Sequence, residues 1–461
     1  MHSTGVRNLW QSPRVEKILL PYTLRSTEAH VRMLGDSQLI EPEVAERVAA
    51  AIIELAEKNR AGEVFLTAED EDVTSAIQRH LYYTLGEDAR VVKQFFTPRD
   101  QFSTDIRLWM KETVVGISLS LLRLRNLFVA LAERDRETIM PSYVHQKKSR
   151  SISLADFWLA NEMRFARDFN RLEELRERLE TLPLSEAVQL SSGKFIERSR
   201  IGLYLGFETV VENTLDAASD RDHLLEFAAF ASLLGVHVSQ LASDLMTWSM
   251  HEFGFIRLPR PFFFKDQEIS NKKHQELLGI MRSRPAAIFG RMQEILSAMK
   301  GLSINYSQDI EECLPGVIET ADHVTFLVEM SLALLPQLEF DVDSLRDAAN
   351  PVVVSGESAI DYLVNRDVRR PAAEKIIEQV MQYCKDRRKQ PIDMTMNEWN
   401  LFSQAFDEGV YDAVAITELE QPVVYNNEWL SPDVSQRIVL NVERARKDIE
   451  RDRAAITAFP D

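Results

Sequence analysis

Within ten residues, the stretch KDQEISNKKH (265–274) gathers Asp266, Gln267 and Glu268, then Lys272, Lys273 and His274, with no glycine. A carboxylate can take a proton, an ammonium can hold an anion and an imidazole can relay a proton, so the stretch has the groups for acid–base chemistry on a charged substrate. The same composition also describes an ordinary solvated loop, and an unperturbed aspartate, with a pKa of about 3.9, is a poor base for a carbon-bound proton unless it is buried. His145, in HQKKSR (145–150), is a second titratable group, while Asp220 and Arg221 in SDRD (219–222) suit either the frame of a site or a helix-start cap with an ion pair. Cys313 and Cys384 lie far apart without metal-ligand spacing. They suit a reducing cytosol, and neither a metal nor a cofactor is expected.

These groups must be held by helices. The chain has 461 residues, 45% of them hydrophobic, against 16 Gly and 17 Pro, so helix formers outweigh breakers and several cores can be buried. A formal charge of −18 argues against a nucleic-acid surface, because the basic runs are short. A small anionic substrate stays open, since a local basic pocket can exist on an acidic protein. No uninterrupted apolar run reaches the roughly 20 residues of a membrane span, and the first residues lack a signal-peptide core, so a cytoplasmic protein with no membrane partner is expected.

The texture divides the chain into a helical N-terminal domain (1–104), a long-helix bundle (105–345) that includes the stretch near 260–276, and a helical C-terminal domain (346–461). Val114, Ile117, Leu121, Leu124, Phe128 and Leu131 share one helical face, and Val115, Leu119 and Leu122 widen it. Residues 221–254 are apolar nearly all round, which requires a place inside a bundle or between subunits. Long helices are also expected at 277–300 and 316–337.

Nine strings in order resemble the argininosuccinate lyase family of the fumarase and aspartase superfamily: STEAHVRML (26–34), EDEDVTSAI (69–77), DQFSTDIRLW (100–109), MPSYVHQ (140–146), IERSRIGLYLGF (196–207), NTLDAASDRDHLLEFAA (213–229), WSMHEFGFIRLP (248–259), KGLSINYSQDIEE (300–312) and SAIDYLV (358–364). The resemblance implies an all-α fold of three helical domains. Its central bundle would form a 20-helix core in a homotetramer, with active sites shared between subunits. It also implies removal of a proton beside a carboxylate, then expulsion of an amine or water to leave fumarate.

Laid on the family's motifs, the chain departs at the site. The loop G-S-S-x-M-P-x-K-x-N, which carries a serine base and a carboxylate-binding lysine, keeps Lys272 but has Asp266 and Gln267 for the serines, Lys265 for the glycine, Ile269 and Ser270 for Met-Pro, and His274 for the asparagine. The R-S-R-N-D-Q run reads FTPRDQ (96–101), with Phe96 and Pro98 at its arginine positions, Arg99 at the asparagine, and Asp100 and Gln101 kept. Thr74 stands for the histidine of E-D-V-H, T-H-L-Q keeps only His145, and Leu314 replaces a lysine, while Tyr306, Asp309, Glu312, Asn213 and Arg198 match. His30 and Tyr306 are most simply packing or hydrogen-bonding groups. The resemblance thus implies His145, Asp266 and Lys272 as catalytic candidates. Arg99, Asp100, Gln101, Asn213, Arg198, Lys273, His274 and Tyr306 are candidates for binding a small anionic or amino-acid-derived substrate. Three readings follow: a lyase-type enzyme with a changed substrate, a catalytically inactive homologue kept for assembly or regulation, and a carbon–nitrogen lyase acting on argininosuccinate itself.

Overall fold

The computed structural model describes residues 13–63, 67, 70, 72–94, 98–144, 147–184, 196–217, 219–257, 276–304, 308–349, 356–414 and 434–457. It is an all-α fold, with a few short strand pairs. The chain folds into two compact units, of which the first holds residues 1–122, 165–240 and 280–331, and the second residues 123–164, 241–279 and 332–461.

In the first unit, α1 (Pro13–Asp36) and α2 (Pro42–Arg60) pair. On α2, Ala45, Val48, Ala49, Ile52 and Leu55 recur at helical spacing and are buried, so one apolar stripe faces Leu20, Leu24 and Val31 of α1. Fully burying a side chain such as Leu24 or Ile52 contributes roughly 1.5–3 kcal/mol, so this seam is a main source of local stability. Gly35 sets its closeness: a Cβ there would lie 2.5 Å from that of Ala45. The helix α3 (Val73–Leu85) starts where Asp72 accepts the Ser75 N–H at 2.6 Å, while Ser75 Oγ accepts the Asp72 N–H at 2.9 Å. That reciprocal cap satisfies donors the helix would otherwise leave unpaired. The helix α4 (Pro98–Arg134) runs 37 residues, about 55 Å at 1.5 Å per residue. Its Leu108 joins Ala29, Met33 and Leu34 of α1 and Ile201 and Leu205 of α6 (Arg198–Leu205) in a second core.

In chain order the other main elements are the β1–β2 hairpin (Ile139–Val144 with Lys147–Ser153), α5 (Leu154–Arg178), the strand pair of Thr181–Leu182 with Thr209–Val210, α7 (Thr214–Ala217) and α8 (Asp222–Trp248). After them come α9 (Glu276–Ser283), α10 (Pro285–Met299), α11 (Gln308–Leu334), α12 (Val342–Ala349), α13 (Gly356–Val364), α14 (Arg370–Arg387), α15 (Met396–Trp399), α16 (Gly409–Val414) and α17 (Val434–Thr457). The single helix expected over 277–300 is therefore two. Pro285 opens α10, because it has no N–H to continue the previous ladder. The hairpin at 139–153 has no counterpart in the helical reading of the sequence.

In the second unit, Ala359 and Leu363 of α13, Ala373, Ile377, Val380 and Cys384 of α14, and Trp399, Phe406, Val410 and Val414 form one core. By length and composition, residues 100–134 and 222–248 are each long and apolar enough to cross a membrane, a qualification of the expectation from uninterrupted runs. About half of each apolar window is buried within the fold, and Asp105, Arg107 and Arg125 are buried along α4. Such buried polar groups belong to the packed helix of a folded core.

Candidate active site

The start of α4 is built by hydroxyls. Gln101, buried at the first turn, donates from Nε2 to Thr27 Oγ1 at 2.8 Å and weakly to Ser26 Oγ at 3.5 Å, and its Oε1 accepts from Thr74 Oγ1 at 3.2 Å. One amide thus ties α1, α3 and α4. One helical turn on, on the same face, Asp105 accepts from Thr23 Oγ1 and from Ser26 Oγ, each at 2.6 Å. Burial, opposed by those two hydrogen bonds, pushes the Asp105 carboxyl up to about 7. Asp100 is buried beside them, and its backbone carbonyl accepts from Thr104 Oγ1 at 2.8 Å.

Two residues on from Asp105, on another side of α4, Arg107 donates to Asp220 Oδ2 at 2.6 Å and to the Thr181 carbonyl at 3.0 Å, and it meets His223 Nδ1 at 3.3 Å. Arginine cannot accept, so Nδ1 is the acceptor and the proton of the neutral ring sits on Nε2, a buried atom with no partner among the described residues. Burial, then the Arg107 charge, hold the His223 imidazole well below its usual value. Burial alone would raise the Asp220 carboxyl, but Arg107 and the Asp222 N–H outweigh it and keep it low. Asp220 Oδ1 accepts the Asp222 N–H at 3.0 Å, and Arg221 donates to Ser103 Oγ at 2.8 Å. Asp220 therefore caps the start of α8, as the helix-start reading of SDRD expected, but its ion-pair partner is Arg107, while Arg221 donates to Ser103 and to the Asp220 carbonyl.

Of the binding candidates, the structure brings together Asp100 and Gln101. Arg99 lies in the same turn, though its side chain is outside the described residues. Arg198 donates to the carbonyls of Leu184 at 2.9 Å and Val211 at 3.2 Å, pinning two chain segments. Asn213 Oδ1 accepts the N–H groups of Leu215 and Asp216, the cap of the short α7. His145, Asp266, Lys272, Lys273, His274 and Tyr306 all lie outside the described residues. His30 is fully buried, with Nε2 donating to the Gln94 carbonyl at 2.7 Å, and burial pushes its imidazole down to about 4.

Sequence reasoning missed Thr23, Asp105, Arg107 and His223. For Asp105 the available signal was a carboxylate one turn after Gln101, on the same helical face. Among the described residues, no three His, Cys, Asp or Glu side chains are placed to share a metal ion. A surface depression of about 620 Å³ beside α14, lined in part by Glu378, Lys385 and Arg388, contains none of the candidates.

A model of the lyase family matches residues 14–262. The argininosuccinate lyase of Synechococcus sp. (strain JA-3-3Ab) is 32% identical over 86% of this chain and 81% of its own length. That of Desulforudis audaxviator (strain MP104C) is 29% identical over 97% and 96%. Among solved structures, an EDDS lyase in complex with formate superposes with a TM-score of 0.80 at 18% identity, covering 96% of this chain and 88% of that one. The 3-carboxy-cis,cis-muconate lactonizing enzyme of Pseudomonas putida gives 0.74 at 17%, covering 96% and 98%. At those identities the two structures speak for the fold alone. With the sequence matches extending over nearly the whole chain and the helical fold shared, the protein belongs to the lyase family that includes argininosuccinate lyase, within the fumarase and aspartase superfamily.

Proposed function

We propose that this chain is a lyase-superfamily enzyme whose substrate has changed, carrying out an elimination or related proton abstraction on an amino-acid-derived carboxylate other than argininosuccinate. The observation that carries this reading is Thr74. It occupies the place of the family's E-D-V-H histidine, and its hydroxyl is hydrogen-bonded to Gln101 Oε1, so the position holds the seam between α3 and α4 and has no imidazole to move a proton. The motif changes agree. Two arginines lost from a site that must hold several carboxylates remove charge-assisted bonds of about 1.5–3 kcal/mol each. The fold neighbour EDDS lyase, one variant of which was solved with bound fumarate, supports a carboxylate product on this scaffold. In this reading His145, Asp266 and Lys272 do the chemistry, and Arg99, Asp100, Gln101, Lys273, His274 and Tyr306 face the substrate. Arg198 and Asn213 frame the site through the bonds described above. No cofactor, nucleic acid or membrane is needed, and the setting is cytoplasmic amino-acid metabolism or specialised biosynthesis.

The chain is further proposed to act as a homotetramer, with the N-terminal, central and C-terminal segments of the family organisation. Leu233 and Val236 on α8 and Phe289 and Leu296 on α10 are large apolar side chains exposed on the single chain, and they support a face covered by other copies. A monomer in native mass measurement at micromolar concentration sinks this part.

Purified protein given argininosuccinate is expected to release fumarate far below the roughly 1–1,000 per second usual for enzymes. Efficient release would overturn the changed-substrate reading in favour of argininosuccinate cleavage. Once a turnover assay exists, His145→Ala and Lys272→Ala should each lower turnover by roughly a hundredfold, and refolded mixtures of the two should regain part of it, because some shared sites collect one intact copy of each. Unchanged rates in both variants would count against this site and shift the weight to the catalytically inactive reading.

A further inference from the structure

Asp105 is buried between α1 and α4, and both of its oxygens are held by hydroxyls; among the described residues, no guanidinium or ammonium is hydrogen-bonded to it. Each hydroxyl has a second acceptor within reach: Ser26 Oγ lies 3.2 Å from the Thr23 carbonyl, and Thr23 Oγ1 lies 3.2 Å from the Leu19 carbonyl. Two complete hydrogen-bond arrangements follow. With the carboxylate ionised, both hydroxyl protons point at it. With the carboxyl protonated, its O–H donates to Ser26 Oγ, the Ser26 proton turns to the Thr23 carbonyl, and Thr23 still donates to the other carboxyl oxygen. No donor is stranded in either arrangement, which is the condition for a buried group to exchange a proton without disrupting its surroundings.

We propose that Asp105 is a buried proton-binding site whose two states are two settings of the Thr23 and Ser26 hydroxyls, and that Ser26, shared with Gln101, links the bound proton to the first turn of α4. The inference stands whether or not the chain proves to be an active lyase. The surrounding charges fit it. Glu16 on α1, whose carboxylate accepts the Val73 N–H at 2.9 Å, repels the ionised form. The nearby cations are engaged elsewhere: Arg25 with Glu112, Arg107 with Asp220, and Arg221 with Ser103. His223, facing Arg107 from α8, is neutral.

Infrared difference spectra of the full chain between about pH 5 and pH 9 should show a protonated-carboxyl band that disappears with a midpoint near pH 7 and is missing in Asp105→Asn. Ser26→Ala and Thr23→Val each remove a donor that favours the charged form. The midpoint of the band should then move up, by about one pH unit. A band with that midpoint that persists in Asp105→Asn, or no band with that midpoint in the wild type, overturns the proposal. If Asp105→Asn does not fold, the two hydroxyl variants carry the test, and unmoved midpoints in both overturn it as well.

Discussion

Two buried arginines on α4 have opposite surroundings. Arg125 donates from Nε to Glu162 at 2.9 Å and from Nη1 to Asp452 at 2.6 Å, and Arg451 also reaches Asp452, so one buried cation meets two buried carboxylates. Arg107, 4% exposed at its side chain, has one carboxylate partner among the described residues, Asp220, which is 32% exposed. Its other neighbours are the Thr181 carbonyl and a neutral His223 whose Nε2 has no partner among the described residues. The Arg125 cluster is closed and locks α17 by its Asp452. The Arg107 cluster is polar and, among the described residues, incompletely bonded at the N-terminus of α8, the condition found where a fold accepts a local penalty for something other than stability.

The contrast predicts unequal responses. Arg125→Leu takes from buried Glu162 the guanidinium it is hydrogen-bonded to, leaves Asp452 with Arg451, and should destabilise the protein by about 3–5 kcal/mol in denaturant unfolding. Replacing all three charged members by apolar residues of similar size should recover most of that loss, and a triple variant as unstable as the single one would show that the cluster does more than satisfy its own charges. Arg107→Leu should cost less, about 1–3 kcal/mol, since Asp220 reaches solvent and His223 loses a repelling neighbour. Equal losses at the two positions would erase the comparison.

The two clusters should also answer pH with opposite sign. The folded pKa of His223 is depressed, so below about pH 6.5 the unfolded chain binds a proton that the folded chain does not, and stability falls as pH drops. Each such group contributes a slope of up to about 1.4 kcal/mol per pH unit, and His30, held at about 4, adds a second down to that pH. The Glu162 carboxyl is raised by burial despite Arg125, so between its unfolded and folded values the folded chain keeps the extra proton and the trend reverses. His223→Leu should flatten the acid arm of a stability–pH curve by up to one proton's slope. An unchanged arm would mean that His223 is charged in the folded protein. The smallest effect is expected at Arg446, paired with Glu133 at the surface. Arg446→Ala should change stability by less than about 1 kcal/mol, as exposed pairs do.

Much of this molecule was legible in its residues. The recurrence of Ala45, Val48, Ala49, Ile52 and Leu55 is a local property, and it places the α2 stripe without knowledge of what covers it. The same holds for the breadth of the apolar surface at 222–248, and for the nine ordered strings whose family is borne out by the matches over the chain. The cap at Asp72 and Ser75 is local too, three residues apart. What the helical pattern did not contain was the break before α10 and the hairpin at 139–153, where a proline and a strand pairing interrupt a run of helix-forming composition.

The meeting of polar groups is a different matter. Thr23 reaches Asp105 across 82 residues, Ser26 across 79, and Arg125 reaches Asp452 across 327. Helical periodicity fixes which way a side chain points from its own axis, because it depends only on the turn of about 3.6 residues. It says nothing of which helix lies opposite. Whether Asp105 faces a cation or two hydroxyls depends on how α1 packs against α4. Asp266 and Lys272 illustrate the same division from the other side, since their types are plain in the sequence while their partners are a question of tertiary placement. The sequence by itself therefore determined the helices and the family. Only the tertiary structure decided that Asp105 faces hydroxyls and that Arg107 has one carboxylate where Arg125 has two, because the energy of a buried charge is set by what surrounds it in space.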